Sequence, residues 1–223
     1  MPLKDDIKSS TVPIVSYFLI AVNVLTHFYI FTLGAEGNQV ILDYAIVPYH
    51  LLNTYGPVEI LSKLTTTMFL HGGWFHILSN MLYLWIFADN VEDRLGHGRF
   101  LIFYLITGYI ATLTHVYTMP ESTVPMVGAS GAIAGVLGGY LVLYPKARVL
   151  TLLPIFFFIS IVRIPAMIFL GFWFFLQVIN QTMVSSSAAQ SVAWWAHIGG
   201  FLAGVILVKF FVNNKDRVNG SIK

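Results

Sequence analysis

The sequence predicts an all-α polytopic membrane protein with six transmembrane helices and both termini on the cytoplasmic side. Three observations lead there. Of 223 residues, 57% are hydrophobic and only 10% charged, with a mean hydropathy of +0.77, a combination rare in soluble domains. The apolar residues gather in runs near the ~20 residues that cross a ~30 Å hydrocarbon core. The basic residues fall almost entirely on one side of the resulting topology, as cytoplasmic loops require. The net charge of +2 is too small to suggest a nucleic-acid partner. The absence of cysteine excludes disulfides, thiolate nucleophiles and cysteine-ligated metals.

Taken in order, residues 1–13 carry Lys4, Asp5, Asp6 and Lys8 ahead of the first apolar run. That run ends without an A-x-A-like site, so it reads as an anchor behind a cytoplasmic segment and not as a cleaved signal. Span one is Ile14–Leu33. Residues 34–62 are more polar, with Gly34, Gly37, Pro48, Gly56 and Pro57, and read as an amphipathic loop lying in the membrane interface. Span two is Thr66–Ala88, span three Phe100–Tyr117 and span four Ser130–Tyr144.

The block Val149–Asn180 is interrupted by Pro154, Arg163 and Pro165, and divides into either one span plus an interfacial connection or two spans. Charge decides. With one span there, about Ile164–Asn180, the inner side collects Lys4, Lys8, Arg94, Arg99, Lys146, Arg148, Arg163, Lys209, Lys215, Arg217 and Lys223. That is eleven of the twelve basic residues, with Lys63 outside. Two spans would leave only six of the twelve inside. Span six is Trp195–Val212, so residues 14–212 form one membrane domain and residues 213–223 a cytoplasmic tail.

Polar groups within spans are costly and mark candidate functional positions. Span two carries "HGGWFHILSN", with His71, His76, Ser79 and Asn80; span four opens at Ser130 in "GASG"; span six opens with "WWAHIGG", which holds His197. Spans two, four and six run in the same direction, so these groups share the outer half of the bilayer. Gly131, Gly135 and Gly139 on span four, and Gly200 and Gly204 on span six, form small-xxx-small series that let membrane helices approach closely. Taken alone, that pattern means packing. Here packing would also bring Ser130 within reach of His197, as a serine–histidine pair requires.

The chemistry is self-consistent. Ser130 precedes the first turn of span four, whose backbone N–H groups lack helical partners and can hold an oxyanion. His76 and Asn80 are i,i+4 and share one face of span two. No Asp or Glu lies mid-span, which leaves a Ser–His dyad instead of a triad. H-E-x-x-H is absent, and the spacing of His50, His71, His76, His115 and His197 follows no common ligand template, so no metal is expected.

Together, "HGGWFHILSN", "NVEDRLG", "GASG" and "AHIGG", in this order and spacing, resemble the rhomboid intramembrane serine proteases over nearly the whole chain, and most closely the bacterial members with a six-span core. The resemblance implies a rhomboid-like helical bundle in a bacterial inner membrane that cuts transmembrane helices of other proteins near the outer face, without a cofactor. It implies Ser130 as nucleophile, His197 as general base, and His76 and Asn80 as oxyanion-stabilising side chains. His71 corresponds to a member of the first loop's hydrogen-bond network, and Glu92 and Arg94 to structural residues below span two. There are two departures. The first loop's Trp-Arg pair is replaced by Ser62–Lys63, losing the forked guanidinium. The tyrosine that some members place one turn after the serine is Ala134, so His197 must be oriented from elsewhere. A catalytically silent helix-binding protein and a small transporter or channel are the rival readings. The intact Ser–His–Asn set argues against the first, and the lack of an inverted repeat against the second.

Overall fold

The computed structural model describes residues 1–155, 158–183 and 192–212; the expected tail, residues 213–223, lies outside them. The chain is mostly helical. Helices α1 (Ile14–Thr32), α5 (Trp74–Leu95), α6 (His97–Thr118), α7 (Ser130–Leu143), α8 (Ala166–Met183) and α9 (Trp194–Phe211) occupy the expected span positions. By length and composition, α1, α6, α8 and α9 suffice to cross a membrane. The last turns of α5 carry Asp89, Glu92, Asp93 and Arg94, and α7 has only 14 residues.

Span two starts later and ends later than expected. Its helix begins at Trp74, after a 3₁₀ turn at Thr67–Phe69 and a break at Gly72–Gly73, and runs on to Leu95. Tandem glycine lowers helix propensity enough to stop α5 from continuing back into the loop. The expected interfacial loop is three helices: α2 (Ala35–Tyr44), α3 (Pro48–Asn53) and α4 (Pro57–Thr66). Two of them begin with proline at the first helical position, where its missing N–H costs nothing. Lys63, at the departure from the family pattern, is buried at 8% exposure. Its ammonium donates to the carbonyls of Asp43 and Ala45 and lies 4.8 Å from the centre of the Tyr55 ring. A point charge therefore ties α4 to the end of α2.

The all-α expectation needs correction. Within residues 149–163, read as an interfacial or re-entrant connection, the described residues form two antiparallel strands. Strands β2 (Arg148–Ile155) and β3 (Phe158–Pro165) pair antiparallel from Arg148↔Pro165 to Ile155↔Phe158. Strand β1 (Pro2–Asp5) joins the outer edge of β2, so the N-terminal segment completes a three-stranded sheet. Val149, Thr151, Ile159, Ile161, Val162 and Ile164 supply the β-branched residues that favour strands. Pro154 lies beyond the reach of β1, where β2 has a free edge and a missing N–H is tolerated. The start of span five shifts accordingly from Ile164 to Ala166.

Glu92 joins two helices. It is fully buried. Its Oε1 accepts from the Val15 backbone N–H (2.9 Å), and its Oε2 from the Ser16 backbone N–H (2.7 Å) and hydroxyl (2.6 Å). These are orphan donors of the first turn of α1, where a carboxylate also meets the positive end of the helix dipole. His97 Nδ1 lies 2.6 Å from the same carboxylate. The next residue, Asp93, accepts from the backbone and hydroxyls of Ser10 and Thr11. Arg94 makes none of the described hydrogen bonds.

Two predictions follow from these contacts. Glu92→Gln removes the charge while keeping the shape, and should lower stability by about 2 kcal/mol, the worth of a charge-assisted hydrogen bond. Unfolding in detergent micelles checks this, and an unchanged midpoint contradicts it. Asp5 accepts from Tyr140 and Asn90, and burial lifts its carboxyl from 3.8 to about 6. A carboxyl that holds its proton more tightly folded than unfolded stabilises the fold only while protonated. Its contribution is full below pH 3.8 and is lost as pH rises through about 6. Asp5→Asn should flatten that part of the stability–pH curve, measured by thermal unfolding from pH 4 to pH 8.

Candidate active site

Ser130 is the first residue of α7 and His197 the fourth of α9. Two helices bring them together through glycine. A Cβ on Gly200 would overlap the carbonyl oxygen of Gly131, one on Gly204 that of Gly135, and one on Gly138 that of Phe201. The glycine series of α7 faces two neighbours: a Cβ on Gly131 or Gly135 would meet Ala111 or Thr107 of α6. It is their carbonyls that receive α9. Thus α7 is wedged between α6 and α9, with backbone-level contact on the α9 side.

At the top of this contact the Ser130 hydroxyl lies 2.9 Å from His197 Nε2. The other imidazole nitrogen, Nδ1, lies 2.9 Å from Oε1 of Gln177 on α8. The rings of Trp173 and Trp194 stand 6.0 Å and 5.8 Å from that of His197. Gln177, Trp173 and Trp194 thus flank the imidazole. Ser130, His197, His76, Asn80, His115 and Gln177 all line one cavity of about 860 Å³. Its described lining contains no Asp, Glu, Lys or Arg.

Gly128 packs against His76 and Asn80. Its φ of +122° belongs to the region glycine favours, and a Cβ there would come within 2.7 Å of His76 Nε2 and 3.5 Å of Asn80 Nδ2. The segment is pinned by Gly128 N–H to the Thr67 carbonyl (2.9 Å) and Met126 N–H to the Ile46 carbonyl (2.6 Å). Asn80 is buried, and its Nδ2 has no hydrogen-bond partner in the described structure. A buried amide donor without an acceptor is costly and stands ready for an oxygen atom placed in the cavity.

Other sequence candidates lie elsewhere. His71 is buried beside His76, with the two rings edge to face at 5.0 Å. His50 sits on α3 between Tyr49 and Tyr55 and does not line the cavity. Glu92 binds the N-terminus of α1. Gln177 was passed over in the sequence, where it closes the bulky run "FLGFWFFLQ". The signal was present: a strongly polar side chain within an apolar span.

A Rhomboid domain model matches residues 59–214. The chain is 31% identical over 192 residues to "Rhomboid protease GluP" of Bacillus subtilis (strain 168), covering 86% of this chain and 34% of that protein. It is 31% identical over 150 residues to "Rhomboid-like protein 11, chloroplastic" of Arabidopsis thaliana, covering 66% and 51%. With "Presenilin-associated rhomboid-like protein, mitochondrial" of Bos taurus it shares 28% over 178 residues, covering 76% and 43%. The chain therefore belongs to the rhomboid family, and its apolar helices make it an integral membrane protein. It spans between about a third and a half of the length of these relatives.

The α7–α9 contact should tolerate no side chain. Gly204→Ala places a methyl against backbone, which cannot rotate away, and should destabilise by about 1–3 kcal/mol. Unfolding in micelles reads the loss. A variant as stable as wild type would show that the helices are not held at carbonyl distance.

Proposed function

We propose that this chain is a serine endopeptidase that cuts transmembrane segments of other membrane proteins near the outer membrane face. Ser130 is the nucleophile and His197 the general base. The observation that carries this reading is the 2.9 Å Ser130–His197 contact inside a cavity that also presents an unpartnered Asn80 donor. On the same reading the chain crosses a bacterial cell membrane six times, with both termini cytoplasmic and residues 14–212 as one protease domain.

The steps follow from the groups present. A substrate carbonyl lies over the N-terminus of α7. His197 Nε2 takes the Ser130 proton as Oγ attacks, and the negative charge falls on the carbonyl oxygen. Asn80, His76 and the Ser130 backbone N–H stabilise that oxyanion, a kind of donor set whose single members are each worth about 10²–10³ in rate. The imidazolium returns its proton to the leaving amine, leaving an acyl-enzyme. Water, deprotonated by the same histidine, then releases the second product.

Two features of the bundle support access from the bilayer. Helix α7, with 14 residues, rises only about 21 Å and is shorter than the ~30 Å hydrocarbon core. Its N-terminus therefore starts part-way down the bundle. Helix α8 has 17% of its span buried, against 50% for α6 and α9, so the side of the cavity it covers is the most thinly packed. A substrate helix arriving there must unwind locally, because a helical carbonyl is already hydrogen-bonded and shielded.

A serine-directed fluorophosphonate should label the wild type and fail to label Ser130→Ala; equal labelling of the two rejects the reading. His197→Ala should abolish cleavage of a model membrane substrate, a loss of at least about 10³-fold by analogy with other serine–histidine systems, while thermal unfolding stays cooperative. Turnover surviving in that variant would remove His197 from its role as base.

A further inference from the structure

The imidazole of His197 is hydrogen-bonded from two other helices, and only one of its partners belongs to the expected dyad. Its Nε2 faces Ser130 on α7. Its Nδ1 faces the Gln177 amide on α8 at 2.9 Å, and Gln177 is buried at 5% exposure. The other end of that amide, Nε2, lies 2.8 Å from the backbone carbonyl of Trp173, one turn back on α8. A carbonyl can only accept, so the atom beside it must be the NH₂ group. This fixes which way the amide points, and therefore places oxygen, an acceptor, against His197 Nδ1. Nδ1 must then carry the proton, which leaves a lone pair on Nε2 for the Ser130 hydroxyl.

We propose that Gln177 is a positioning residue for the proteolytic reaction: its side-chain oxygen holds His197 in the one neutral tautomer that can accept the Ser130 proton. The inference rests on the protease reading above. A chain of three acceptor–donor choices, from the Trp173 carbonyl through the Gln177 amide to the imidazole, ends at the nucleophile. Gln177 does without a carboxylate what the third member of a triad does with one. It orients the ring and selects the tautomer, and as the ring becomes imidazolium the Nδ1–H···O bond strengthens because its donor is now charged. The titratable groups lining the cavity around His197 are His76 and Tyr83 from α5 and His115 from α6; α7 and α8 contribute none. No carboxylate in the described lining could share this work.

The location of Gln177 gives the contact a second consequence. It sits on α8, the most thinly buried of the four helices long enough to cross the membrane. Displacing α8 from α9 lengthens the Nδ1 contact, and the ring then loses the bond that selects its tautomer. The Nδ1 contact thus couples the placement of α8 against α9 to the tautomer of the base.

Gln177→Met keeps the volume and removes the acceptor; Gln177→Glu keeps an oxygen in place. In purified full-length protein, Gln177→Met should lower kcat/KM about tenfold, one net hydrogen bond, with the loss in kcat. Gln177→Glu should stay within about threefold of wild type, with the acid limb of its pH–rate profile moved to higher pH because a carboxylate favours imidazolium. Imidazole ¹⁵N spectra should show Nδ1–H and unprotonated Nε2 for His197 at neutral pH in the wild type, and loss of that preference in Gln177→Met. Wild-type kcat/KM and an unchanged tautomer in Gln177→Met would overturn the proposal. So would an Nε2–H tautomer in the wild type, which needs no variant to fold. If the wild type neither labels nor cleaves, the protease reading fails while the ¹⁵N spectra still report on Gln177.

Discussion

Everything at the candidate site depends on α9 lying against the backbone of α7. In a bilayer no hydrophobic force drives helices together, because lipid chains are as apolar as leucine, so close van der Waals contact has to do it. Gly200 and Gly204 present bare Cα atoms to the carbonyls of Gly131 and Gly135. That removes a layer of side chains between the two helices. The same absence lets a short hydroxyl on one helix reach an imidazole on the other at 2.9 Å. A methyl group at either glycine would open a gap that neither Ser130 nor His197 could span.

Around that contact the chain assembles a polar cavity from helices that are otherwise greasy. Polar groups buried in such surroundings must be paired or functional. Most are paired: Glu92 caps α1, Lys63 holds the loop carbonyls, and Gln177 is satisfied at both ends. The Asn80 Nδ2 donor is one of the buried atoms without a partner in the described structure, and Asn80 lines the same cavity as Ser130.

The end of the bundle that carries the N-terminal segment is built by different means. There, charge and β-pairing replace glycine packing: Glu92 and Asp93 grip residues 10–16, and β1 closes the sheet on β2. The Asp5–Tyr140 bond ties that sheet to the lower half of α7. Helix α7 is thus held at its lower end by a hydrogen bond to the N-terminal strand and along its length by α6 and α9.

Membrane class, helix positions and the residues worth examining were legible in the sequence because hydropathy, basic-residue placement and motif spacing are local properties. The same locality explains the errors. Residues 149–155 and 158–163 lie in an apolar block that hydropathy alone could not assign, and only pairing with residues 2–5 and with each other makes them strands. The glycine spacing announced close packing but not its direction, since which face of a helix meets which neighbour depends on the whole bundle. Gln177 was visible as a polar residue in an apolar run, yet its partner lies 20 residues away on another helix. By itself, then, the sequence determined which groups are present and which apolar runs carry them. The tertiary structure alone decided that α8 supplies the second partner of His197, because a hydrogen bond is set by distance and direction between atoms that no sequence interval specifies.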